Sequence, residues 1–186
     1  MYTEYRDKLI SCLENTILFQ GDTREEISSY EEMISSLVSL FLQVKQEKRQ
    51  IFFVGNGGSA GIASHMTADF MKNGEIGTYS LYDSSMLTCM GNDYGYEFIF
   101  SKQLEHIGKP RDLLVAISSS GNSQNMVNAI GTAREKKMRV LTLSGFRADN
   151  KIKAMGDFNL YVPVEHYGMV ESIHTLILQQ VVDEIK

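Results

Sequence analysis

The chain has 186 residues, 43% of them apolar and 22% charged, with a net charge of −5. That size and balance suit one globular domain with a sizeable core, and the negative charge gives no support to non-specific nucleic-acid binding. Two cysteines, Cys12 and Cys89, make neither a disulfide framework nor a metal-ligand pair, the start MYTEYRDKLI is too charged for a secretory signal, and no apolar run approaches the roughly 20 residues of a membrane span, so a soluble cytoplasmic protein without a membrane partner is expected.

Residues 1–48 contain no proline and read without a strand-like run. Leu9, Ile10, Leu13, Ile17 and Leu18 recur at helical spacing, as do Ile34, Leu37, Val38, Phe41 and Val44. Gly21–Thr23 breaks the pattern, and TREE (Thr23–Glu26) has the form of a helix cap with an acidic first turn. Two helices are expected here. From Ile51 onward strands and helices alternate. Ile51–Val54 is a short buried strand, Ser59 to about Lys72 a helix and Thr78–Tyr82 a weaker strand. Ser84–Met90 and Glu97–His106 read as helices with the turn Gly91–Gly95 between them. Leu113–Ser118 is a strand, Ser123–Lys137 a helix and Arg139–Ser144 a strand. Asn150–Met155 is a short helix, Phe158–Val162 a strand and Met169–Ile185 the closing helix. This alternation predicts a parallel sheet covered on both faces. With no low-complexity linker, residues 1–186 read as one domain: N-terminal helices over 1–48 and an α/β sandwich over 49–186.

Two stretches carry the chemistry. GNGGSAGIASH (Gly55–His65) follows a buried strand and runs into a helix, and AISSSGNS (Ala116–Ser123) repeats that arrangement. Glycine lets backbone approach a ligand closely, a helix N-terminus offers unpaired N–H groups and partial positive charge, and serine hydroxyls add donors. Such loops suit a phosphate at the carboxyl ends of the strands. The bland alternative is a pair of tight turns and helix caps. A dinucleotide site is a rival, because Gly55, Gly57 and Ala60 satisfy G-x-G-x-x-A. It lacks a well-placed acidic residue, since Glu75 precedes the next strand and Asp83 comes late, and it leaves the serine-rich loop unexplained. No nucleotide cofactor is expected.

VGNGGSA, MLTCMGNDYGYEFIF (Met86–Phe100), AISSSGNSQNMVNAI (Ala116–Ile130) and the closing helix with ESIH resemble the sugar isomerase (SIS) domain, and within it the sedoheptulose 7-phosphate isomerase, or phosphoheptose isomerase, family. The resemblance covers nearly the whole chain. It implies a flavodoxin-like five-stranded parallel sheet with helices on both faces plus an N-terminal helical layer, assembled as a homotetramer with sites shared between subunits. It implies interconversion of a ketose phosphate and an aldose phosphate through an enediol, with a phosphorylated sugar as partner. By the same resemblance Ser59, Ser118, Ser119, Ser120 and Ser123 cradle the phosphate, and Asn56, Gly57, Gly58 and the Asn92–Asp93 turn line the sugar pocket. Members often hold zinc through a histidine and a glutamate after the first loop and a glutamine and a histidine on the last helix. The glutamate and that last histidine also transfer protons.

The sequence departs from that pattern. His65 is kept, but the glutamate position is Asp69, the glutamine position is Glu171 and the last-helix histidine position is Gln179. His174 remains, at a secondary position. His65 and Asp69 are four apart and share a helix face, Glu171 and His174 are three apart, and Gln179 lies eight beyond Glu171. If the two helices meet, His65, Asp69, Glu171 and Gln179 form a ligand set for one divalent ion, zinc first among the candidates and manganese an alternative. Glu171 is then the candidate base, with Asp69 and His65 beside it. The structural alternatives are a hydrogen-bonded His65 and a Glu171 paired with a cation of a neighbouring subunit. His166 is a substitute base or a solvated loop residue, and Tyr94, Tyr96 and Tyr167 contact a ligand or pack between subunits. The functional alternative to an isomerase is a non-catalytic module that binds a phosphosugar or a protein.

Overall fold

The computed structural model describes residues 2–21 and 23–186. In chain order the elements are α1 (Tyr2–Glu14), β1 (Ile17–Gln20), β2 (Glu25–Ile27), α2 (Tyr30–Gln46), β3 (Ile51–Gly55), α3 (Gly58–Lys72), β4 (Thr78–Ser80) and α4 (Ser84–Tyr94). They continue with a 3₁₀ turn (Tyr96–Phe98), α5 (Ser101–Ile107), β5 (Leu113–Ser118), α6 (Gln124–Glu135), β6 (Arg139–Gly145), a second 3₁₀ turn (Ile152–Ala154), β7 (Phe158–Val162) and α7 (Tyr167–Glu184). Among the described residues no helix is long and apolar enough to cross a membrane.

The alternation of side chains along the strands builds two cores. Ile51 and Phe53 face one side of the sheet with Val115, Ile117, Leu143 and Leu160, against α2, α3 and α7. Phe52 and Val54 face the other with Leu114, Ala116 and Val140, against α5 and α6. Strands buried on both faces need continuous apolar runs, which is what β3 and β5 supply.

The sheet has seven strands in the order β2-β1-β7-β6-β5-β3-β4. Strands β3 to β7 pair in parallel. Strand β1 joins β7 antiparallel, with Leu18 opposite Leu160, and β2 closes the edge as a hairpin arm. The expected clean five-stranded parallel sheet is therefore corrected to a mixed one of seven. The N-terminal segment is corrected with it, because it is not purely helical. At the end of helix α1, Asn15 N still donates to Ser11 O at 3.1 Å, but Thr16 N turns to Leu13 O at 3.1 Å, a tighter last turn, while Thr16 Oγ1 takes the Cys12 carbonyl at 2.9 Å. Ile17 and Leu18 then continue as strand. Leu18 is fully buried, and that burial stabilises the hairpin by about 1.5–3 kcal/mol. TREE is not a helix cap either: Arg24 sits in the turn at φ 55°, Glu25–Ile27 form β2, and α2 is capped by Ser29, whose hydroxyl accepts from Glu32 N. Asp22, inside the break read at Gly21–Thr23, lies outside the described residues. The turn read at Gly91–Gly95 is the last stretch of α4, ended by Gly95 at φ 102°.

Candidate active site

The loops after β3 and β5 lie side by side at the carboxyl ends of their strands. A cavity of about 310 Å³ opens between them. Asn56, Gly57, Gly58 and Ser59 line one side, and Ser118, Ser119, Ser120 and Ser123 the other. Tyr167 and Glu171, from the first two turns of α7, close it. Among the described residues no lysine or arginine lines it.

Close approach explains the glycines. A Cβ on Gly55 would press on the Ser59 carbonyl at 2.6 Å, and one on Gly58 would fall against the Glu171 carboxylate. That second contact places Glu171 over the first turn of α3, where the helix dipole favours negative charge. Neither α3 nor α6 has an acidic residue in its own first turn. Glu171 complements the N-terminus of α3 from outside, and the N-terminus of α6 has neither an acidic residue nor a side-chain cap.

The serine hydroxyls have unequal duties. Ser118 Oγ accepts from Gly121 N at 3.2 Å and shapes the loop. Ser123 is the N-cap of α6, yet its side chain makes no capping bond. Ser119 is buried, lines the cavity, and its Oγ has no partner among the described residues. An unpaired buried hydroxyl costs on the order of 1–3 kcal/mol, and this one faces the cavity with its hydrogen-bonding capacity unused.

Two fasteners hold the loops, and the sequence reading missed both. Asn56 and Asn125 exchange amide hydrogen bonds at 2.9 Å each, tying the first loop to α6, and Tyr96 OH donates to Asn56 Oδ1 at 2.9 Å. Tyr82 OH accepts from Gly55 N at 2.6 Å and donates to Gly55 O at 2.7 Å. Burial pushes the Tyr82 phenol well above its ordinary range, so it remains a neutral bridge. The one available signal was Asn125 beside the serine loop in SGNSQN.

The remaining expected site residues lie elsewhere in the chain. His65 is exposed and pairs with Asp69 at 3.2 Å. Seven residues beyond Gly58, it stands about 10 Å further along α3. Gln179 lies about 12 Å along α7 from Glu171 by the same count. Asn92 and Asp93 are exposed on α4, with Asn92 Nδ2 donating to Asp93 Oδ1 at 2.8 Å. None of these five lines the cavity. His166 caps α7, its Nδ1 accepting from Met169 N at 3.3 Å. His174 is wholly buried under the site, with Nε2 on Ser144 O at 3.2 Å and Nδ1 unpartnered. Burial lowers its pKa to about 4, with the Ser144 bond opposing, so it is a neutral structural imidazole at pH 7.

Of the expected metal donors, His65 and Asp69 touch each other and Glu171 lines the cavity. Among the described residues no three His, Cys, Asp or Glu side chains converge. A divalent ion at His65 and Asp69 would meet an imidazole and a carboxylate on one face of α3.

A family model described as SIS domain matches residues 21–145. The phosphoheptose isomerase of Akkermansia muciniphila is 33% identical over 171 residues, spanning 89% of this chain and 90% of that protein. Among solved structures, a phosphoheptose isomerase from Neisseria gonorrhoeae aligns with a TM-score of 0.77 at 38% identity, covering 83% of this chain and 85% of the other. One from Francisella tularensis aligns with a TM-score of 0.84 at 25% identity, covering 99% and 95%.

Proposed function

Because the chain belongs to the SIS-domain family, among its phosphoheptose isomerases, we propose that it is a phosphosugar aldose–ketose isomerase acting on a seven-carbon sugar phosphate of the sedoheptulose 7-phosphate type. The observation that carries this reading is the unpartnered, buried Ser119 hydroxyl in a cavity that also holds the Glu171 carboxylate. One end of the cavity suits a phosphate, and the other holds a base.

The phosphate lies against Ser119, Ser120 and Ser123 at the N-terminus of α6, with Ser59 reaching from the first loop. Neutral hydroxyls and backbone N–H groups hold it in place of cations. The sugar then extends past Asn56 and Gly57 toward Glu171. There the carboxylate takes the proton from the carbon next to the carbonyl and returns it to the neighbouring carbon, which converts ketose to aldose through an enediol.

Helix α1 has no fully buried residue and exposes Tyr2, Tyr5 and Ile10. We include self-association through this helix in the proposal, with a tetramer as the assembly that the family resemblance implies.

The test is solvent-deuterium incorporation into sedoheptulose 7-phosphate, with aldose formation followed alongside. The unsubstituted protein is expected to show both. Glu171→Gln should lose at least about 100-fold in turnover and keep its affinity for the sugar phosphate. Exchange by Glu171→Gln at the native rate removes Glu171 as the base. Binding without exchange in the unsubstituted protein replaces the isomerase reading with a phosphosugar-binding module.

A further inference from the structure

We propose that Tyr167 is a second catalytic residue, the group that moves the proton between the two oxygens while Glu171 moves it between the two carbons. This rests on the isomerase reading. Isomerisation exchanges two protons. One leaves a carbon and joins its neighbour, and one leaves a hydroxyl oxygen and joins the former carbonyl oxygen. A single carboxylate serves the first exchange and leaves the second without a partner.

The cavity offers one group for that task. Among the described residues, the side chains that line it include just two with an acidic or basic group, Tyr167 and Glu171. The serines lie at the phosphate end. Tyr167 and Glu171 are four apart on α7 and so share one face. Tyr167 is 61% exposed and stands at the mouth, while Glu171 sits deeper, over Gly58.

The Tyr167 ring is also held. Phe146 packs against it edge-on, with centroids 4.7 Å apart and planes at 70°. Phe146 itself sits at φ 58°, a conformation that a bulky residue rarely adopts. Its N–H donates to Val164 O at 3.2 Å and its carbonyl accepts from Tyr161 OH at 2.7 Å, which keep it there. Strain of this kind gathers where a side chain must be aimed, and here Phe146 braces the Tyr167 ring at the cavity wall that Glu171 also lines.

In the ketose-to-aldose direction Glu171 takes a proton from C1. The C1–H pair becomes the C1=C2 bond, the C2=O pair moves onto O2, and O2 takes the Tyr167 proton. The phenolate then takes the proton of the O1 hydroxyl as the C1=O1 bond forms. The C1=C2 pair takes the proton back from Glu171 at C2. Both residues end as they began, and no further reactant is needed.

The experiment uses Tyr167→Phe, which removes one oxygen and leaves the ring on Phe146. With sedoheptulose 7-phosphate as substrate, kcat should fall about 100-fold or more. Affinity for the sugar phosphate, measured by calorimetry, should stay within about threefold. Tyr79→Phe, on the exposed edge strand and stacked on Phe52, is the control and should keep full activity. A Tyr167→Phe kcat within about threefold of native overturns the assignment, as does a rise in KM with kcat unchanged. Absence of turnover in the unsubstituted protein overturns the isomerase reading and this assignment together, so the two failures are told apart by the native enzyme.

Discussion

His174 gives the most direct handle on how the site is supported. The imidazole is wholly buried and its pKa is about 4, against an ordinary 6.5. Between those values the unfolded chain binds a proton that the folded chain refuses. The stability contributed by the neutral ring is therefore fully present above about pH 6.5 and is lost as pH falls toward 4. At about 1.36 kcal/mol per pKa unit, the loss totals about 3 kcal/mol, with a steepest slope near 1.4 kcal/mol per pH unit. His174→Gln removes the titration and keeps an N–H for Ser144 O. Urea unfolding of both proteins at intervals from pH 7 to pH 4 measures the effect. The native protein should lose about 3 kcal/mol more than His174→Gln across that range, while carboxylate titrations cancel between the two. An identical pH slope in both proteins overturns the reasoning.

Two further expectations concern the cavity and the assembly. Ser119→Ala should weaken sugar-phosphate binding by about 1.5–3 kcal/mol, the cost of a missing hydrogen bond to a charged group, yet leave urea stability unchanged or slightly raised because its hydroxyl is unpaired without ligand. Calorimetry and unfolding curves test the pair, and unchanged affinity refutes the phosphate cradle. Self-association through α1 predicts an oligomer by light scattering that Tyr5→Glu with Ile10→Glu weakens. A monomer mass at every concentration would remove that part of the proposal.

The strands buried on both faces were legible because their apolar runs are continuous: β5 and β7 begin and end where the sequence places them, and β3 extends one residue further. The β1–β2 hairpin was not. Ile17 and Leu18 continue the helical spacing of Leu9 and Leu13, yet the chain tightens at Thr16 and leaves the helix before them. The Gly91–Gly95 stretch misled in the opposite sense, since glycine, asparagine and aspartate are turn formers that a helix tolerates when its neighbours pack. In the site, glycine and serine announce a loop by their own chemistry. The cradle of Tyr82 around Gly55 and the arrival of Glu171 over Gly58 depend on elements far apart in the chain. Nothing local at either position signals them.

The placement of β1 also sets an order of events on the way to the folded state. Leu18 pairs opposite Leu160, about 140 residues later. During synthesis the β1 segment leaves the ribosome about 140 residues ahead of its partner strand. Until then an apolar stretch and the open flank of β7 both stay available to other chains. Closing so long a loop is slow compared with local helix formation. The hairpin is therefore the seal on the sheet, the piece whose docking covers the flank of β7.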